Sequence, residues 1–218
     1  MLQDKLIDYS ILAHACKYYS GKGYRQIEVP WIVPQHVARS TFTGEVDTSF
    51  HFDDGTALVG SAEQGFVQMM LDGKLQLGKK YFAVSPCFRG DTPDSTHSNW
   101  FMKLELFAVV DAVEWGSHHL EEEFILDASK LFKYLLAESV GDWAALQRHG
   151  VGIFSTCTDI GVDIMARLGQ DGAEELELGS YGVREIDGNV IAYGTGVALP
   201  RLSLAIEKHK ELYNGRVP

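Results

Sequence analysis

The chain has 218 residues, 45% hydrophobic and 22% charged, with 19 Lys and Arg against 30 Asp and Glu, a formal net charge of −11. This is enough apolar material for one sizeable core and too little chain for a second large domain, so one domain is expected over residues 1–218. The acidic balance weighs against tight nucleic-acid binding, because acidic surfaces repel phosphate at long range.

No apolar run approaches the roughly 20 residues of a membrane span, and the N-terminus lacks the basic-then-apolar form of a secretory signal. A soluble, cytoplasmic protein with no membrane partner is expected. Cys16, Cys87 and Cys157 are far apart, odd in number and form no CxxC pair, which points to buried thiols and not to disulfides or a cysteine zinc site.

In chain order, Leu2, Leu6, Tyr9, Leu12 or Ala13, Cys16 and Tyr19 recur at helical spacing, and the helix they predict ends at Gly21 and Gly23. The run Tyr24 to Pro30 reads as a strand, on a sheet edge because Pro30 cannot donate an N–H. Short strand pieces are predicted around Phe50 to Phe52 and Ala57 to Val59, joined by the turn Asp53-Asp54-Gly55. Ser61-Ala62-Glu63-Gln64 then opens a helix running to Gly73, and Ser followed three places on by Gln is the pattern of a capping box.

Two period-2 runs follow, Tyr81 to Arg89 and Phe101 to Val110, around a tip rich in Gly, Asp, Thr, Pro and Ser: a long hairpin. Alternation places Ser85, Cys87 and Arg89 with Phe101, Lys103 and Glu105 on one side, and Phe82, Val84 and Phe88 with Met102, Leu104 and Leu106 on the other, core side. An Arg at a strand end, an aromatic ring opposite and a nearby carboxylate suit a nucleotide, with guanidinium on phosphate and ring on base. A surface hairpin with an ordinary ion pair would be written the same way.

Leu120, Phe124, Ala128, Leu131 and Leu135 predict a helix from His119 to Leu136, with Glu121, Glu122 and Glu123 in the first turn where the dipole favours acids. His118 and His119 diverge on such a helix and are not read as metal ligands. The stretch with Trp143 and Cys157 carries little pattern. Strands return at Glu175 to Arg184 and from Asn189 through Gly194-Thr195-Gly196-Val197-Ala198-Leu199-Pro200-Arg201, and a helix with Leu202, Ala205, Ile206, His209 and Leu212 follows. Pro200 fits the first turn of that helix. A Gly-x-Gly strand end before a helix opening on Arg suits a polyphosphate, since bare backbone, helix N–H groups and a guanidinium converge; a closely packed strand-to-helix turn is the other reading.

Phe88-Arg89-Gly90-Asp91, the loop Thr92 to Asn99 and Phe101 resemble the second signature motif of class II aminoacyl-tRNA synthetases. PCFRGD is similar to the seryl enzymes, and DSTHS with WFMKLELFAVVD to the phenylalanyl ones. The helix and strand closing on Pro30 resemble the family's first motif, which forms its dimer interface, and Gly194 to Arg201 resembles the third, with Ala198 in place of its last glycine and Pro200 in place of an acid. Ser61-Ala62-Glu63 looks like the Thr-x-Glu loop of seryl enzymes.

The resemblance implies an α+β fold, a class II synthetase-like antiparallel β-sheet flanked by helices; the anticodon-binding domain that a full synthetase adds is not expected in this chain. It implies amino acid activation with ATP and Mg²⁺ to an aminoacyl-adenylate. Arg89 would hold the α-phosphate and substrate carboxylate, Phe101 and Arg201 would sandwich adenine, Asp91 would read its amino group, and His97 would touch the γ-phosphate. Gly194 and Gly196 would line the ATP site, and Glu177 and Ser180 would hold Mg²⁺. Ser61, Glu63 and Glu105 would form the amino-acid end, with both acids facing the substrate amine. Zinc-using relatives, among them amino acid to carrier-protein ligases, place cysteines around that end; no matching Cys is found, so no zinc is expected. A homodimer is implied, with tRNA, a carrier protein or a small molecule as acceptor and no tight tRNA binding by this chain alone. The rival is a non-catalytic paralogue that binds an amino acid or nucleotide and regulates a partner. The amino acid itself is not legible, and Trp100, where many relatives carry an acid, is expected to reshape the pocket.

Overall fold

The computed structural model describes residues 7–42, 49–90, 92, 98–110, 119–141, 152–159, 161–168 and 174–214. Asp91, His97, His118 and Trp143 lie outside them. The elements are α1 (Tyr9–Gly21), β1 (Arg25–Gln26), β2 (Ile32–Pro34), α2 (Gln35–Ser40), β3 (Thr56–Leu58), α3 (Ala62–Leu71), β4 (Lys80–Phe88), β5 (Trp100–Val110), α4 (His119–Val140), β6 (Gly152–Thr158), β7 (Gly161–Leu168), β8 (Glu174–Ile186), β9 (Asn189–Leu199) and α5 (Arg201–Asn214). Seven strands form one sheet in the order β1-β4-β5-β9-β8-β7-β6, with β2 and β3 a separate pair. Every pairing in the large sheet is antiparallel except β1 on β4. The expected α+β architecture is therefore present.

Helix α1 begins where Asp8 accepts a hydrogen bond from the Ser10 N–H, satisfying one orphan donor of the first turn. Its buried stripe is Ile11, Leu12, Ala15 and Tyr19, rotated from the one read in sequence, and Tyr9 is exposed. Adjacent Ile11 and Leu12 offer more apolar area than Tyr9 in the first turn, and the core takes them. Helices α1, α4 and α5 cover one sheet face, where Tyr19, Phe82, Leu104, Phe124, Leu131 and Leu202 form a continuous core. Helices α2 and α3 with the β2–β3 pair cover part of the other face, where Phe66 stacks on Phe107 with centroids 4.8 Å apart and planes 6° from parallel.

The hairpin is β4 with β5, in register from Lys80↔Ala108 to Phe88↔Trp100. Both of its faces are buried, since Ser85, Cys87 and Glu105 are as inaccessible as Leu104 and Leu106. Cys87 is the buried thiol expected; Cys16 is half-buried and Cys157 exposed on β6, the outermost strand, whose side needs no apolar cover. The strand expected over Tyr24 to Pro30 is cut to two residues, at the sheet edge as Pro30 required. Strands β6 and β7 were not legible, because the partly exposed Gly152 to Thr158 has no period-2 apolar pattern.

Candidate active site

The wall of the site is made where the sheet comes apart. Strands β8 and β9 pair from Ile186↔Asn189 to Tyr181↔Gly194 and no further. Beyond that point a cavity of about 150 Å³ lies between them, bordered by Arg89, Phe101, Lys103, Glu177, Ser180 and Arg201 among others.

A bulge aims the acid and the hydroxyl. In a regular strand residues three apart face opposite sides. On β8 the register with β7 jumps from Ile164↔Gly179 to Met165↔Glu177, leaving Leu178 as the extra residue. Glu177 and Ser180 thereby border the same cavity. Asp163, opposite Ser180 in the register, is held above the usual carboxylate range by burial, against the lowering effect of a hydrogen bond from Ser180, while Glu177 adds to the rise.

The two arginines follow strand ends on the same side of the sheet, Arg89 after β4 and Arg201 after β9. The Arg89 main chain is clamped to Asn99, its N–H donating to the Asn99 carbonyl at 2.9 Å and the Asn99 amide returning a bond at 3.2 Å. Its Nε donates to the Gly60 carbonyl at 3.2 Å, and its guanidinium lies 5.1 Å from the centre of the Phe101 ring. Arg201, first residue of α5, meets the Glu177 carboxylate at 2.9 Å. Pro200 directly precedes α5 instead of lying in its first turn.

Away from the cavity lining, Ser61 caps α3 by accepting from the Glu63 N–H at 3.2 Å. Gln64 does not close the capping box: its Oε1 accepts from the Gly60 N–H at 2.6 Å and its amide donates to the Ala38 carbonyl at 2.8 Å, tying the turn before α3 to α2. Glu63 and Glu105 are both buried, and each has a cation: Arg184 at 3.3 Å from Glu63, Lys103 at 2.7 Å from Glu105. Burial pushes the Glu63 carboxyl up to about 7, Arg184 pulling it back and Glu105 adding to the rise. Burial likewise raises Glu105, against the pull of Lys103. The floor is thus two acids and two bases, near neutrality, in a place where an unpaired charge would be costly.

Arg89, Phe101, Glu177, Ser180 and Arg201 come together around one cavity. Ser61, Glu63 and Glu105 do not line it; they are buried, and Glu105 is joined to its wall through the pair with Lys103, so this cluster is the inner end of the candidate site. Gly194 and Gly196 are not on the cavity wall. A Cβ on Gly194 would stand 2.2 Å from the Tyr181 ring, and one on Gly196 would stand 2.4 Å from Leu104 Cδ2, so their bareness serves packing of the sheet. Gly196 is also the residue skipped between Leu104↔Val197 and Glu105↔Thr195, a second bulge. Sequence reading gave no role to Lys103, Asp163, Arg184 or Thr195. Lys103 had a signal, two places from Glu105 on the same face; Arg184 had none, being 121 positions from Glu63. Glu177, Ser180 and Asp163 supply the hard oxygen donors that Mg²⁺ takes, which fits an ion held largely by phosphate oxygens and water. Among the described residues no group of three or more His, Cys, Asp or Glu could hold a metal unaided.

No family model matches the chain, and no curated protein does. The solved structures do: the fold is that of a class II aminoacyl-tRNA synthetase catalytic core. Seryl-tRNA synthetase from Pyrococcus horikoshii, complexed with ATP, is similar at a TM-score of 0.68 and 21% identity, over 96% of this chain and 56% of that one. Pyrrolysyl-tRNA synthetase from Desulfitobacterium hafniense gives 0.62 and 15%, over 91% and 69%. Cytoplasmic serine-tRNA ligase from Naegleria fowleri, in complex with AMP, gives 0.63 and 18%, over 91% and 47%. The chain spans about half the length of the two seryl enzymes. Among the described residues no helix is long and apolar enough to cross a membrane.

Proposed function

We propose that this chain is a catalytic core that activates a free amino acid with ATP, forming an aminoacyl-adenylate and pyrophosphate, and passes the aminoacyl group to an acceptor. The observation that carries the reading is the convergence on one cavity of two arginines, an aromatic ring and an acid–hydroxyl pair, drawn from the residue after β4 and from β5, β8 and α5. Attack of a carboxylate on the α-phosphate needs alignment and charge neutralisation more than proton transfer, and these groups supply both. Arg89 holds the α-phosphate and substrate carboxylate. Phe101 and Arg201 take the adenine between them, and from the sequence resemblance Asp91 and His97 contact its amino group and the γ-phosphate. Ser61, Glu63 and Glu105 receive the amino-acid end.

Mg²⁺, when bound, neutralises the polyphosphate, and Glu177 and Ser180 would hold it, with Asp163 orienting Ser180. Glu177 is ion-paired with Arg201, so nucleotide binding exchanges that contact for contacts to phosphate and base. The protein works as a soluble, cytoplasmic homodimer through the first motif, on an acceptor that is tRNA, a carrier protein or a small molecule. A second reading, a non-catalytic paralogue, draws on Ala198 and Pro200 in the third motif. Exchange of labelled pyrophosphate into ATP, run with each of the twenty amino acids and Mg²⁺, separates them: amino-acid-dependent exchange is expected, and measurable ATP binding without exchange for any candidate would establish the paralogue.

A further inference from the structure

The two buried acids at the inner end are not equivalent. Glu63 is paired with a cation fixed on three sides: Arg184 sits 3.3 Å from Glu63, donates to the Thr41 carbonyl at 2.7 Å, and lies with its guanidinium 4.1 Å from the centre of the Tyr193 ring. A planar guanidinium so held is a structural part and is not easily moved. Glu105 is paired with a lysine whose ammonium, 2.7 Å away, ends a flexible four-carbon stem on the cavity wall. That pair is the one ion pair of Lys103 among the described residues. On β4, directly opposite Lys103, the hydroxyl of Ser85 is fully buried and has no hydrogen-bond partner among the described residues. Polar capacity is thus left over beside this lysine, at the Ser85 hydroxyl and at the Glu105 carboxylate itself, whose oxygens accept no hydrogen bond among the described residues.

We propose that Lys103 is a resident stand-in for the substrate ammonium: its Nζ occupies on Glu105 the place that the amino group of the incoming amino acid takes, and the substrate binds by displacing it. This rests on the reading of the inner end as the amino-acid site. Lys103 is then a specificity-determining residue. A ligand without an ammonium cannot replace it, because Lys103 would leave a buried, unpaired carboxylate behind. Once displaced, Lys103 swings toward the Arg89 side of the cavity, where it adds positive charge beside the reacting carboxylate and phosphate. The affinity for the amino acid is lowered by the competition, as for any site whose binding-competent state is only partly populated.

The test is binding without ATP, so it does not depend on turnover. Each of the twenty amino acids is titrated into the full chain at about pH 8 by calorimetry, followed by the carboxylic acid that lacks the α-amino group of any binder. The expected result is that the binder binds wild type, its des-amino analogue does not, and Glu105→Gln weakens binding about thirtyfold or more, further than Glu63→Gln does. Lys103→Met removes the competitor and tightens binding, while Lys103→Arg, with a fork that grips a carboxylate by two bonds, weakens it. Opposite shifts in the two lysine variants are the signature, which a merely structural lysine would not give. If Glu63→Gln does not fold, Glu63→Gln/Arg184→Gln removes that pair together. Binding of no amino acid to wild type, equal binding of the des-amino acid, or a shift in the same direction for both lysine variants would each overturn the proposal. Amino-acid binding that responds as expected but is accompanied by no pyrophosphate exchange would sink the adenylation reading and leave this one standing.

Discussion

Glu63 ties stability to pH in a direction opposite to that of a surface carboxylate. Burial raises its carboxyl from the ordinary 4.5 to about 7 in the folded chain. Between those values the unfolded chain has released the proton and the folded chain keeps it, so the folded state binds more protons and stability falls as pH rises through this window, then levels above it. Two and a half pH units at about 1.4 kcal/mol each make the loss roughly 3 to 4 kcal/mol. Glu63→Gln keeps the shape of the protonated acid and cannot titrate. It leaves Arg184 with Thr41 and Tyr193 at every pH, a constant cost that cancels from the slope. Urea unfolding of wild type and Glu63→Gln at several points from about pH 4.5 to 8 is the assay. Wild type should lose roughly 3 to 4 kcal/mol relative to the variant across the window. Parallel curves would mean that Arg184 keeps Glu63 ionised throughout, and the account of the floor as a place dominated by desolvation would be wrong.

Arg89→Ala should lower pyrophosphate exchange by more than about a hundredfold, since a charge-assisted contact to a reacting phosphate in a dry site is worth roughly 3 to 4 kcal/mol. Arg201→Ala should act chiefly on ATP, raising its KM more than it lowers kcat; equal and small effects of both changes in folded protein would put the nucleotide elsewhere. Gly194→Ala should cost roughly 1 to 3 kcal/mol in urea unfolding, because its Cβ would stand 2.2 Å from the Tyr181 ring and that ring is fully buried. A loss confined to ATP affinity, with stability intact, would return Gly194 to the nucleotide site. Total tRNA should not be retained on filters at submicromolar protein and moderate salt, because 19 basic residues against 30 acidic ones leave little clustered charge to release counterions; tight, salt-dependent retention would contradict this.

What the sequence determined by itself was local and periodic. The two runs around Gly90 to Asn99 specified the hairpin and its faces, because side-chain period 2 and turn chemistry are written in adjacent residues. The Ser61 cap, the acidic start of α4, and the order of the three motifs were legible for the same reason, and with them the α+β fold. Tertiary structure decided the rest. Glu177 and Ser180 share a face only because Leu178 is bulged out, a choice fixed by pairing with β7 and invisible in a residue count. Gly194 and Gly196 gain a packing reason only when Tyr181 and Leu104 are brought against them. Asp163 meets Ser180 only once β7 pairs with β8. Arg184 meets Glu63 across 121 positions, whereas Lys103 and Glu105 pair two places apart on one strand. Charges on a strand face read in sequence as solvated; burial on both sides of the hairpin pairs them instead, because a buried charge must find its partner wherever the fold supplies one.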